Sequence, residues 1–181
     1  LERGWVYWTD EEKVQRAPLG GGPIETITTS LAGSTGIALD LRDYPLGERY
    51  CCPAVPNSTG AYGRVSASGS AVVAANDLTL TATDLPTGQF GYFLASREAG
   101  LQFPTVSQGV VCLRGDIGRF NQTGLVFQGP VGSIQVDLSG IPVNPASPVL
   151  PGETWHFQCW YRDDNPGPTN NFTDAIRITF E

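Results

Sequence analysis

Along residues 78–83, apolar Leu78, Leu80 and Ala82 alternate with polar Thr79, Thr81 and Thr83. A period of two puts one set on each face of a pleated strand. The same reading predicts strands over Arg64–Ser68, Phe90–Ala95, Val110–Leu113, Gly124–Gln128, Ser133–Leu138, Thr154–Tyr161 and Ala175–Phe180. In Trp155-His156-Phe157-Gln158-Cys159-Trp160-Tyr161, both alternating sets contain aromatic residues. That run predicts a central strand packed on each side. Short strands at this spacing over about 130 residues predict an antiparallel β-sandwich.

The pattern is different over residues 1–43. Short alternating segments occur at Gly4–Asp10, Val14–Ala17, Ile24–Ile27 and Thr35–Asp40, parted by turn residues such as Gly20-Gly21-Gly22. Four strands in about 40 residues match the size of one propeller blade. The expected organisation is an all-β chain: a blade-like segment at 1–43, a linker at 44–49 containing Pro45 and Gly47, and a β-sandwich at 50–181.

Composition agrees with strands and turns. Gly (22) and Pro (14) are abundant, and hydrophobic residues make up 40 %, enough for a real core. The net charge is −7, and Lys13 is the single lysine. Without a basic stripe, nucleic acid is excluded as a partner class. No apolar run approaches the roughly 20 residues of a membrane span.

Tyr7-Trp8-Thr9-Asp10 and Gly36-Ile37-Ala38-Leu39-Asp40 resemble the YWTD repeat of low-density-lipoprotein-receptor-type propellers. In that family the motif is architectural: its aromatics pack between blades and its aspartate bonds the backbone. No second repeat follows in this chain. Residues 50–181 resemble a β module found at the C-terminus of large secreted or surface proteins of environmental bacteria. The resemblance rests on Pro53-Ala54-Val55-Pro56-Asn57-Ser58-Thr59-Gly60, Asn76-Asp77-Leu78-Thr79-Leu80, Gln89-Phe90-Gly91-Tyr92-Phe93, Trp160-Tyr161-Arg162-Asp163 and Asn171-Phe172-Thr173-Asp174. It implies location and architecture, without a reaction.

Cys51, Cys52, Cys112 and Cys159 lack the paired short spacing of zinc ligands. An even count in a Gly/Pro-rich β chain instead points to disulfides and an oxidising compartment. Adjacent cysteines rarely meet disulfide geometry, so Cys51 and Cys52 are each expected to reach separately to Cys112 and Cys159.

Candidate chemistry is sparse. The single histidine, His156, lies inside an apolar strand and reads as structural. No G-x-S-x-G, H-E-x-x-H or phosphate-binding glycine loop occurs, so no catalytic residue and no cofactor are expected. Asp163, Asp164 and Asp174 flank a Pro/Gly loop and are the calcium candidates, set against ordinary turn chemistry, which their spacing favours. Asn57, Asn121 and Asn171 begin N-x-S/T triplets, expected in surface loops that accept glycans. Arg114-Gly115-Asp116 spells an adhesive tripeptide and also reads as a plain turn between strands.

The expectation is an extracellular or cell-surface structural protein that self-assembles, as a homo-oligomer or filament. Trp5, Tyr7, Trp8, Ile24 and Ile27 of the blade-like segment would form the joint, because one small sheet cannot cover them. The competing expectation is a module that binds carbohydrate or another surface protein on exposed Trp and Tyr rings.

Overall fold

The Leu–Thr alternation at residues 78–83 becomes a strand with Leu80 and Ala82 wholly buried. The computed structural model of the chain describes residues 5–10, 13–18, 22–29, 46–51 and 53–181. The chain divides into two units, residues 1–44 and 45–181. The described residues are nearly all β, as the periodicity predicts, with antiparallel pairing throughout.

In the first unit, β1 (Trp5–Asp10), β2 (Lys13–Pro18) and β3 (Glu25–Thr29) form a three-stranded antiparallel sheet in that order. Trp8 pairs with Gln15 across β1 and β2. The β2–β3 pairing shifts register between Val14 and Gln15, and Arg16 ion-pairs with Glu25 at 2.9 Å. The expected fourth segment, Thr35–Asp40, lies outside the described residues.

The second unit is a sandwich with a further hairpin on its outer face. Its strands are β4 (Glu48–Tyr50), β5 (Arg64–Ser68), β6 (Thr79–Thr83), β7 (Phe90–Ser96), β8 (Glu98–Gln102) and β9 (Val111–Arg114). Then come β10 (Gly118–Arg119), β11 (Phe127–Gln128), β12 (Gly132–Gln135), β13 (Thr154–Asp164) and β14 (Pro168–Thr179). The large sheet runs β10-β7-β13-β14-β4, with β11 also paired to β7. A smaller sheet runs β12-β6-β5, and β8 pairs with β9.

Period two decides which residues form the core. Phe93, Ala95, Trp155, Phe157, Cys159, Tyr161, Ile176 and Ile178 of the large sheet meet Val65, Leu80, Ala82 and Ile134 of the small one. Truncating a fully buried ring here, such as Phe157→Ala, costs about 3–5 kcal/mol. On the opposite face, Leu94 and Phe172 pack under Val111 and Leu113 of the hairpin. β13 is therefore central and covered on both faces, as its two aromatic sets predict.

Two expectations need correction. Glu48 and Arg49 are not linker: with Tyr50 they form β4 on the edge of the large sheet, where Glu48 ion-pairs with Arg177 at 2.6 Å. The last two strands run further than the expected Thr154–Tyr161 and Ala175–Phe180, which shortens the Pro/Gly loop between them. β13 and β14 run on through Arg162↔Asn170 and Asp163↔Thr169, so only a short turn separates them.

Candidate functional site

β7 and β13 pair antiparallel with Tyr92 opposite Trp160 and Gly91 opposite Tyr161. Alternation sends Phe93, Cys159 and Tyr161 into the sandwich. It sends Phe90, Tyr92, Trp160 and Arg162 to the outer face. The β8–β9 hairpin covers one end of that face, and Tyr92 and Trp160 stand half-buried at the edge of its apolar cluster. Gly91 lets the strands close up: a Cβ there would meet the Trp160 carbonyl oxygen at 2.9 Å and the Phe127 ring at 3.1 Å.

The result is an aromatic strip bordered by arginine. The Tyr92 and Trp160 rings stack with centroids 4.8 Å apart and planes at 29°. Phe90, 41 % exposed, sits 5.7 Å from Trp160 at 54°. The Arg162 guanidinium carbon lies 5.6 Å from both the Phe90 and Trp160 ring centroids, a distance for cation–π attraction. Arg119, on β10 opposite Leu94, borders Tyr92 on the other side. Burial pushes the Tyr92 hydroxyl pKa up, while Arg119 and Arg162 oppose the shift. Gln128 on β11 lies in register with Phe90, and Asn170 on β14 with Arg162.

A buried amide fixes the covered end. Gln158 Nε2 donates to the carbonyls of Val110 (2.9 Å) and Thr173 (2.7 Å), and its Oε1 accepts the Cys112 N–H at 2.9 Å. These bonds tie β9 and β14 to β13, so the strip stands on rigid strands.

The structure joins Cys51 to Cys112 in a disulfide. Cys159 is a free, fully buried thiol, so the expected second bond to it is absent. The reason is strand parity. Cys159 faces the interior of the sandwich, while Cys112 lies on the outer face beside Gln158. Burial raises the Cys159 pKa well above its usual value. Cys52 lies outside the described residues. Beside the disulfide, exposed Leu101 and Phe103 line a shallow groove with Pro53 and Val55.

The calcium candidates do not converge. Asp163 accepts the N–H groups of Ser58 (3.1 Å) and Asp164 (2.9 Å). Asp174 accepts Val65 N–H at 2.7 Å and ion-pairs with Arg49. Asp164 is exposed. Among the described residues, no three His, Cys, Asp or Glu side chains form a metal-binding group. Asp163 and Asp174 instead join distant segments: Asp163 on β13 holds the loop at Ser58, and Asp174 on β14 holds β5 and Arg49.

Nor are all three asparagine triplets surface loops. Asn57 and Asn171 are buried, with Nδ2 donating to Asp84 O at 2.7 Å and to Val55 O at 3.3 Å respectively. Only Asn121 of the three is exposed. Arg114-Gly115-Asp116 forms an exposed turn between β9 and β10, with Gly115 at φ +67°. His156 is buried on β13 against the edge of Tyr50, ring centroids 5.4 Å apart.

Of the expected joint residues, Ile24 and Ile27 are exposed (61 % and 52 %) and Trp8 is half-buried. Trp5 and Tyr7 lie on β1, and their side chains are outside the described part of the structure. Among the described residues no helix is long and apolar enough to cross a membrane. Comparison of the chain with protein-family models, curated proteins and solved structures finds no match.

Proposed function

We propose that the chain is a non-catalytic extracellular interaction module that binds carbohydrate or a protein surface on the outer face of β7 and β13. The observation that carries this reading is the strip of Phe90, Tyr92 and Trp160 with Arg162 set over two of the rings. Aromatic rings offer large contact area with few rotamers to freeze, and adjacent polar groups orient the ligand. The disulfide suits an oxidising compartment. Asp163 and Asp174 bonded to distant segments, and a histidine buried on a central strand, are structural uses that fit a body without turnover. The test is an array of glycans and extracellular proteins probed with the full chain and with Phe90→Ala. Capture that disappears in the variant supports the reading, and capture unchanged by it refutes the site.

A second reading rests on a different observation. Every residue of β3 is exposed, including Ile27, and Ile24 before it is exposed too. Apolar residues on an uncovered strand invite pairing with another chain. On this reading the protein self-assembles, as a filament or surface-layer component, through its first unit. Light scattering and electron microscopy of a variant lacking residues 1–43 test it: assembly equal to that of the full chain would exclude β3 as the joint.

A further inference from the structure

We propose that the aromatic face of β7 and β13 takes an acidic sugar chain, with uronate carboxylates held by Arg119 and Arg162 and sugar rings laid on Phe90 and Trp160. This rests on the binding reading above and names its ligand class.

The first argument is charge. The chain has 18 Asp and Glu against 11 Lys and Arg, so surface arginines have carboxylate partners within reach. Arg16, Arg49, Arg64, Arg97 and Arg177 each pair with one. Arg114, Arg119 and Arg162 form no ion pair among the described residues; of these, Arg162 lies by the Phe90 and Trp160 rings, and both Arg119 and Arg162 act on Tyr92. Two unpaired guanidinium forks in an acidic protein are complementary to carboxylates, which accept two parallel N–H bonds from each fork. The opposing net charge of −7 acts weakly at contact range, because salt screens it beyond about 8 Å.

The second argument is shape. A peptide recognised through its backbone needs a free strand edge. β7 has none at the strip: β13 lies on one side, and β10 and β11 lie on the other. A sugar chain needs no edge. Its C–H faces rest on ring faces, and its hydroxyls bond to side-chain amides. The exposed Gln128, in register with Phe90, makes no side-chain hydrogen bond among the described residues and is placed to serve a hydroxyl. An open sheet face also lets a long chain pass, where a closed pocket would admit only an end. Nucleic acid, with a phosphate on every unit, is a denser anion and meets the same net charge with only two arginines to neutralise it.

Calorimetry on the full chain separates the possibilities, with hexagalacturonate, maltohexaose and hexaglutamate as probes. The expected result is hexagalacturonate binding about tenfold or more tighter than maltohexaose, weakened by salt. Arg162→Gln and Arg119→Gln should each weaken it by about tenfold. Phe90→Ala, at an exposed ring whose loss leaves the core intact, should weaken it by a similar factor of about ten. Equal binding of maltohexaose, lost in Phe90→Ala, would overturn the acidic class and keep the binding face. Equal binding of hexaglutamate would overturn sugar as the ligand. No binding of any probe at millimolar concentration, by a chain whose melting shows it folded, would remove the binding face as well.

Discussion

Tyr92 and Trp160 face each other across β7 and β13, their rings 4.8 Å apart and 29° from parallel. Aromatic neighbours on paired strands couple by about 0.5–1.5 kcal/mol beyond the area they bury. A double-mutant cycle with Tyr92→Leu and Trp160→Leu, read by urea unfolding, should return a coupling in that range. Additive single changes would mean that the rings merely share a neighbourhood.

Gln158 is the polar post under the covered end of the strip. Gln158→Leu leaves the Cys112 N–H and the Val110 and Thr173 carbonyls without their side-chain partner. Each buried group so stranded costs about 1–3 kcal/mol, so the variant should lose about 3 kcal/mol of stability or more. Amide exchange at Cys112 should speed up with it. An unchanged exchange rate there would show that the N–H had found another acceptor.

Much of the frame was legible in the sequence, because strand parity is written there. Leu78–Thr83 alternates cleanly, and the two aromatic sets of residues 155–161 foretell a strand covered on both faces. What local pattern cannot show is which residues from distant strands meet. Phe90 and Tyr92 give one i, i+2 pair and Trp160 and Arg162 another, but their convergence depends on the register between β7 and β13. The sequence offers calcium or local turns for Asp163 and Asp174, because nothing nearby in it shows the distant Ser58 and Val65 N–H groups arriving. Strand β8, Glu98-Ala99-Gly100-Leu101-Gln102, is not foreseen: Ala99 and Leu101 alternate with their neighbours, but two apolar residues in five, around a glycine, are a weak strand signal, and both stay exposed. The pairing of Cys51 was within the expected set, while Cys159 sits at the parity that faces the core.

The disulfide closes a sequence separation of 61 residues. Chain-entropy reasoning gives about 4 kcal/mol for a loop of that size. Replacing Cys51 and Cys112 together with serine should lower stability by an amount of that order. Cys159, buried and with its pKa raised, should resist alkylation until denaturant is added. Rapid labelling of the Cys159 peptide in the native protein would contradict the assigned burial.

His156 carries a pH signature. Burial, and secondarily Arg177, lower its pKa from 6.5. The unfolded chain therefore takes up a proton before the folded one does, and stability falls as pH drops below 6.5 towards the lower folded value. The urea midpoint should fall between about pH 7.5 and pH 5.5, and His156→Gln should flatten that slope. An identical slope in the variant would assign it to other groups.

The central claim is that the outer face of β7 and β13 is the binding surface. It is tested most directly by heteronuclear NMR of the full chain titrated with hexagalacturonate. The account predicts shifts concentrated on Phe90, Tyr92, Arg119, Arg162 and the Trp160 indole Nε1. Shifts confined to the groove beside Cys51 and Phe103, or to β3, with the strip unmoved, would contradict it.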